Sequence, residues 1–436
     1  MAGLRLGQSS RAYLAKAIKQ AAALDVDQPH KVLGAGVRAL SRKRDFKSPE
    51  IRRRFEEKTK RLQTAINLGV PDRVPVITCG VNFHTANYLP MTVGDFCFNP
   101  KKMAASIHAF LNCHPEFDSV YPIHFSHAVA RIARLTQADL VEFPGPGASR
   151  NASYQFVEKK RIEDHEYADL IANPGEFAKN VLFPRVSALY RPGKGFPPAV
   201  MLRLAKMAVE LGFLFKRIAD GMEYEHGTPL QGSASFISPY DVLSLCRSLE
   251  NISLDLFRRP EMVEQAADRL TGLLFLINDY AVALCGRPSA NLMVERAFSL
   301  SPRHFRRFYL PSLKKVVEGL AARGLLCHLY LESDATQHLE SLRELPPKSF
   351  VVHLDKSNII AAKKALAGHA CIAGNVPLAL MVTGTPDQVK DHCQMLIQEV
   401  APGGGFILCG ALGIPDDARV GNVRAMVEHV LEHGKY

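Results

Sequence analysis

Histidines and carboxylates that follow short apolar runs are the groups in this chain best placed to move protons or hold a metal ion. His328 stands near the end of an expected strand from Leu325 to Tyr330, and Tyr330, Glu332 and Asp334 come after it. An imidazole beside carboxylates binds zinc through nitrogen and oxygen, or transfers protons near neutral pH. Upstream, the stretch Glu223-Tyr224-Glu225-His226 is dense in proton acceptors and runs into a turn at Gly227, Thr228 and Pro229. Glu225 and His226 are therefore read as catalytic partners of His328, and His328, Glu225 and Asp334 as the ligands of any metal. The bland readings are a hydrogen-bonded structural histidine for His328 and a solvated loop for Glu225 and His226.

Other residues could line a substrate pocket. His353 and Asp355, two apart, share one face of a strand, although Asp355 could equally cap a helix. Asn375 carries both a donor and an acceptor, but Gly374 and Pro377 shape the same turn, so it could simply fix the backbone. Asn82, His84 and Tyr88 follow Cys79 and Gly80. Asn82, His84, Tyr330, Asp355 and Asn375 are the expected substrate contacts. His124 and His127 stand three apart at a helix start, where both meet one face.

The elements that must position these groups alternate. Expected strands are Arg73 to Cys79, Ser119 to Ile123, Asn291 to Arg296, Leu325 to Tyr330, Phe350 to Leu354, Ala370 to Ile372 and Gly405 to Cys409. Between them lie helical patterns from Pro260 to Leu284, Pro302 to Ala322, Ile359 to Leu366 and Pro386 to Val400. Buried strands alternating with helices specify a parallel sheet covered by helices. No Pro/Gly/Ser linker breaks the C-terminal half, and neither a G-x-G-x-x-G nor a Walker-type loop follows an early strand. The expected fold is thus a (β/α)8 TIM barrel over residues 71–436, with an N-terminal helical extension over residues 1–70; an open doubly wound sheet is the rival. Ser48 before Pro49 and Glu50 marks the start of an amphipathic helix in that extension.

Composition narrows the function. Apolar residues make up 47% and charged residues 22% of the chain, which argues for a folded core rather than disorder. The net charge of +11 invites nucleic acid or an anionic surface as partner. The basic run Arg52, Arg53, Arg54, Lys58 and Lys60 fits a solvated helix face, however, and no zinc-finger or RNA-binding motif accompanies it. The nine cysteines are odd in number and widely spaced, as expected of reduced thiols. No apolar run is long enough to span a bilayer. Expected partners therefore exclude nucleic acid and membrane, and the expected setting is cytoplasmic, with a homodimer as an option.

Landmarks from Pro71 onward resemble the uroporphyrinogen decarboxylase-like superfamily. They are Asp72-Arg73-Val74-Pro75-Val76, Leu256 to Glu261, Gly374-Asn375-Val376-Pro377, Gly384-Thr385-Pro386, Gly404 to Leu408, Ile414 to Ala418 and Gly421-Asn422-Val423. The resemblance implies the same barrel, and it lies closer to the cobamide- or corrinoid-dependent methyltransferase branch than to true uroporphyrinogen decarboxylase. That branch implies a zinc ion held by a histidine, a cysteine two residues later and a second cysteine near the C-terminal glycine-rich strand. His328 falls on the histidine position, but Tyr330 stands at the first cysteine position and Leu412 at or beside the second. Cys327 and Cys409 are not in register to replace them, and Cys327 would face the helices if His328 faces inward.

The resulting expectation is transfer of a methyl group from a small methylated or methoxylated molecule to a corrinoid protein, with zinc as a possible cofactor. Alternatives are a metal-free decarboxylase or lyase, and a non-catalytic barrel scaffold. For a true uroporphyrinogen decarboxylase the resemblance implies arginines in the opening segment that grip a tetrapyrrole's carboxylates, and Val76 to His84 carries none.

Overall fold

The structure, a computed structural model, describes residues 45–78, 83–120, 125–144, 154–230, 232, 235–285 and 289–436. Most of the N-terminal extension, together with Asn82 and His124, lies outside the described residues. Helix α1, Pro49–Ile66, begins as its sequence dictates: the Ser48 hydroxyl accepts from the Ile51 N–H at 3.3 Å, with proline at the first turn.

Strands β1 (Ile77–Thr78) and β2 (Ser119–Val120) pair in parallel, and β3 (Val141–Glu142) and β4 (Gln155–Phe156) form a short antiparallel pair. The main sheet holds β5 (Ser235–Ile237), β6 (Ser289–Val294), β7 (Leu326–Leu331), β8 (Phe350–Leu354), β9 (Cys371–Val376) and β10 (Phe406–Gly410). Its order is β10-β9-β8-β7-β6-β5, and every neighbouring pair is parallel. Isolated parallel bridges join Val76 to Leu408 and Val120 to Leu230.

Helices separate these strands as the alternating pattern requires. Those used below are α2 (Phe125–Thr136), α3 (Pro198–Asp220), α4 (Pro239–Arg247), α5 (Pro260–Cys285), α6 (Leu310–Ala322), α7 (Ile359–Ala365) and α8 (Pro386–Glu399). The long helix expected from Pro302 to Ala322 is interrupted by a π-turn over Phe305–Tyr309. Pro311 lies in the first turn that follows and has no N–H to donate, so the hydrogen-bond ladder changes register there.

The period of two sorts each strand into faces. Cys327, Leu329, Leu331, Val352, Leu354, Ile372 and Leu408 join the large cluster that includes the helices. Tyr330, Val351, Cys371, Ala373, Ile407 and Cys409 form a second cluster on the inner face, completed by Leu62 and Ala65 of α1. Cys327 therefore faces the helices, as the alternation predicts.

Helix α1 crosses the N-terminal ends of the strands. The turn after it meets the start of β10, where Gly405 donates to the Gly69 carbonyl at 3.3 Å. The Lys58 ammonium, 4% exposed, donates to the Pro115 carbonyl (2.7 Å) and the Thr228 hydroxyl (3.2 Å); burial lowers its pKa to about 7. Asp118, fully buried, accepts from Arg61 (2.6 Å), Arg73 (2.8 Å) and the Val76 N–H (2.8 Å), tying β1, β2 and α1 together. No helix among the described residues is long and apolar enough to cross a membrane.

Removing the shared carboxylate leaves Arg73 and the Val76 N–H without it, while Arg61 keeps its pair with Asp72 (2.5 Å). Asp118→Ala is expected to lower the unfolding free energy by about 2–4 kcal/mol, measured by chemical denaturation; a loss below about 1 kcal/mol would show that the network is solvated and weak.

Candidate functional site

In parallel α/β sheets, ligands bind beyond the carboxyl ends of the strands. Each of three successive strands here ends on an acid: Glu295 follows β6, Glu332 follows β7 and Asp355 follows β8. These acids stand two residues after Met293, Tyr330 and His353, so the alternation directs them to the inner side of the sheet's edge.

A fourth acid anchors them. Asp241, in the first turn of α4, is fully buried; its carboxylate accepts from the Tyr309 hydroxyl (2.6 Å) and from the backbone N–H groups of Glu295 (2.7 Å) and Arg296 (3.1 Å). The Ser238 hydroxyl donates to the Tyr309 oxygen at 2.6 Å. Burial raises the Asp241 pKa to about 6, against the pull of these donors.

Glu295 and Glu332 are half-buried, and neither side chain has a hydrogen-bond or ion-pair partner among the described residues. Burial first, then the charges of Glu332 and Asp241, raise Glu295 from 4.5 to about 8. Burial, then Asp241 and Asp355, raise Glu332 from 4.5 to about 7, and Arg296 opposes both shifts. Carboxylic acids with midpoints near neutrality hold protons that they can donate and regain. Asp355 is committed to the rim, where its carboxylate accepts from the Ser333 N–H at 2.9 Å.

His328 lies in the middle of β7, not at its end. The strand continues to Leu331, which leaves the imidazole 2% exposed and bonded through Nδ1 to His353 Nε2 at 3.0 Å. Tyr330 stacks on His353 with ring centroids 4.1 Å apart. Burial lowers the His328 pKa to about 4 and holds His353 well below its ordinary value. Both imidazoles are therefore neutral at physiological pH.

Glu225 and His226 sit at the opposite edge. They precede the Leu230 bridge, and their segment packs on α1: Lys47 donates to the Tyr224 carbonyl at 2.9 Å, and a Cβ on Gly227 would lie 2.7 Å from the Ile51 oxygen. His226 Nε2 meets His108 Nδ1 at 2.9 Å, and burial with that neighbour brings it to about 4. Asp334 is exposed and turned onto its own loop, accepting from Thr336 N at 2.9 Å.

The three expected metal ligands are thus not brought together. His328 is inside the sheet, Glu225 lies on the N-terminal edge and Asp334 on an outer loop; no group of three His, Cys, Asp or Glu among the described residues is arranged to hold a metal. The zinc expectation does not fit this donor set.

Among the expected substrate contacts, Asn375 donates to the carbonyls of Asp355 (3.0 Å) and Ser357 (3.1 Å), which fixes the loop after β8. His84 is fully buried between Tyr88 and Asn87, each at 3.3 Å, with its pKa lowered to about 4 by burial. His127 meets the Phe96 carbonyl at 3.0 Å. Sequence reasoning missed Asp241, Glu295 and Tyr309. The signal for Glu295 was an acid directly after an apolar run, as at Glu332.

A parallel α/β sheet with ionisable groups gathered at its carboxyl edge defines the class. Within that class, a family model described as uroporphyrinogen decarboxylase (URO-D) matches residues 205–433, more than half of the chain, and the protein belongs to that family. Among solved structures, a methyltransferase from Methanosarcina mazei matches with a TM-score of 0.61 at 17% sequence identity, over 86% of this chain and 98% of that one. At that identity the likeness is one of fold. No curated protein matches the chain.

Between the ordinary carboxyl pKa of 4.5 and about 8, folding takes up protons at Glu295 and Glu332. The site's contribution to stability is therefore complete below the ordinary carboxyl range and is lost as pH rises through about 7 and 8. Glu295→Gln/Glu332→Gln is expected to remove about 1 kcal/mol or more of the stability difference between about pH 5.5 and about pH 8.5. Chemical denaturation at both pH values checks this, and parallel pH profiles for parent and variant would refute the shifts.

Proposed function

We propose that this protein is a methyltransferase: it takes a methyl group from a small methylated or methoxylated molecule held beyond β6, β7 and β8, and passes it to a corrinoid carried by a separate protein. The reading includes a closed (β/α)8 barrel, supported by the parallel bridges of Val76 with Leu408 and Val120 with Leu230. Family membership and the fold shared with the Methanosarcina methyltransferase agree with it.

The observation that carries the reading is the half-buried pair Glu295 and Glu332, which has no hydrogen-bond or ion-pair partner among the described residues; burial raises the two acids to about 8 and about 7. Breaking a methyl–oxygen or methyl–nitrogen bond leaves the electron pair on the heteroatom, which then needs a proton. A corrinoid, when bound, supplies the cobalt nucleophile that accepts the methyl group. The chain supplies the acid: Glu332 donates the proton, while Glu295 stays protonated and hydrogen-bonds the leaving atom. Asp241 holds the Glu295 backbone so that this geometry is set before the substrate arrives.

A decarboxylase would use the same acids to protonate a carbanion, but its carboxylate substrate would have Arg296 as the nearby cation. Two protonated acids favour a neutral methyl donor whose heteroatom accepts a hydrogen bond. A non-catalytic scaffold would gain nothing from unpaired, half-buried acids, which cost stability.

The test is incubation of the protein with reduced cobalamin and a panel of methyl ethers, methylamines and methyl thioethers. Demethylated product is read by mass spectrometry and the corrinoid by its visible spectrum. Glu332→Gln is expected to lower the demethylation rate by about 10²–10⁴-fold with little change in KM. Absence of demethylation across the panel, or a Glu332→Gln variant as active as the parent, sinks the proposal.

A further inference from the structure

The groove between α2 and α3 carries the opposite charge. It is an open groove of about 450 Å³, a volume within the range of small-molecule sites. Arg131 and Arg134 stand three apart on α2, and Arg203 and Lys206 three apart on α3, so each pair shares a helix face, and all line the cavity.

One carboxylate faces these cations. Glu210 pairs with Arg131 at 3.4 Å and with Lys206 at 3.9 Å. Arg134 and Arg203 have no carboxylate partner among the described residues. The floor is apolar: Met207 is 7% exposed, Leu135 is half-buried, and the Arg134 guanidinium lies 5.1 Å from the centre of the Phe98 ring. Arg134, Arg203 and Lys206 are exposed, and all four cations line the same groove beside these apolar side chains.

We infer that this groove is a binding site for a small organic polyanion, a phosphate ester or polycarboxylate with an apolar body. The guanidinium forks of Arg134 and Arg203 match the paired oxygens of such groups, and Phe98, Leu135 and Met207 take the apolar part. None of the lining residues belongs to the ends of β6, β7 or β8, so the groove is separate from the acids at that edge. The two sites therefore offer ligands different chemistry, proton donors at one and fixed cations at the other.

The experiment is calorimetric titration of the full chain with ADP and with citrate at low ionic strength, with adenosine as the uncharged control. Saturable binding of at least one anion and none of adenosine is expected. Arg134→Gln/Arg203→Gln should weaken that binding by about tenfold or more, and Arg203→Gln alone, on an exposed side chain, by a smaller factor in the same direction. Arg258→Gln/Arg303→Gln removes equal charge from exposed positions elsewhere and should leave affinity within about twofold. The site is overturned if neither anion binds saturably, if adenosine binds as well as ADP and citrate does not bind, if the groove variants keep parental affinity, or if the control pair loses as much.

Discussion

The Asp241 carboxylate, fully buried at the start of α4, accepts from Tyr309 and from the backbone N–H groups of Glu295 and Arg296. This contact joins three elements: the helix after β5, the end of β6 and the π-turn that leads into α6. It also sets the electrostatics of the edge, because its charge reaches both Glu295 and Glu332. An apolar residue at 241 would leave two backbone donors and a tyrosine hydroxyl unpaired in the interior, each costing about 1–3 kcal/mol. The orientation of the Glu295 backbone follows from this group, and its charge adds to burial, the larger cause, in keeping the pair protonated.

The two edges of the sheet use charge in opposite ways. At the N-terminal edge, Asp118 is matched by Arg61 and Arg73, and Lys58 finds two oxygen acceptors, so charge fastens α1 to the strands. At the C-terminal edge, Glu295 and Glu332 have no hydrogen-bond or ion-pair partner among the described residues, and burial keeps them protonated. A fully paired edge would be more stable but inert, since a carboxylate locked to arginine has no proton to give near pH 7. The contrast also separates Glu225 and His226, chemically attractive in the sequence, from the acids of the carboxyl edge: they lie on the edge where α1 is fastened, and His226 is paired with His108.

The parallel sheet was legible because its strands are nearly continuous apolar runs. Phe350–Leu354 was located to the residue, and β7 and β10 were displaced by one. The three-residue β5, in a serine-rich segment, has no such run and was not seen. The candidate site was less legible because a displacement of one residue matters at a strand end. Ending β7 at Tyr330 brought His328 to the mouth, whereas the extra residue places it in the interior and Glu332 at the edge. Extending β6 to Arg296 buried Glu295 within a strand. Asp241 could not be found from pattern at all, since its role rests on contacts with residues more than fifty positions away.

Tyr330 bears on the chemistry in a further way. The methyltransferase-like resemblance places a cysteine at this position, where a thiolate would complete a set of soft ligands with His328. The phenol ring instead lies flat on His353, and His353 in turn bonds His328. One ring nitrogen of each histidine is thus spent on the other, and burial keeps both imidazoles uncharged. The inner face between β7 and β8 is filled by stacked rings where a metal site would need open donors. The groups that stand above the rings, one step further along the same strands, are Glu332 and Asp355, with Glu295 beside them at the end of β6, and the proposed chemistry uses these rather than a metal.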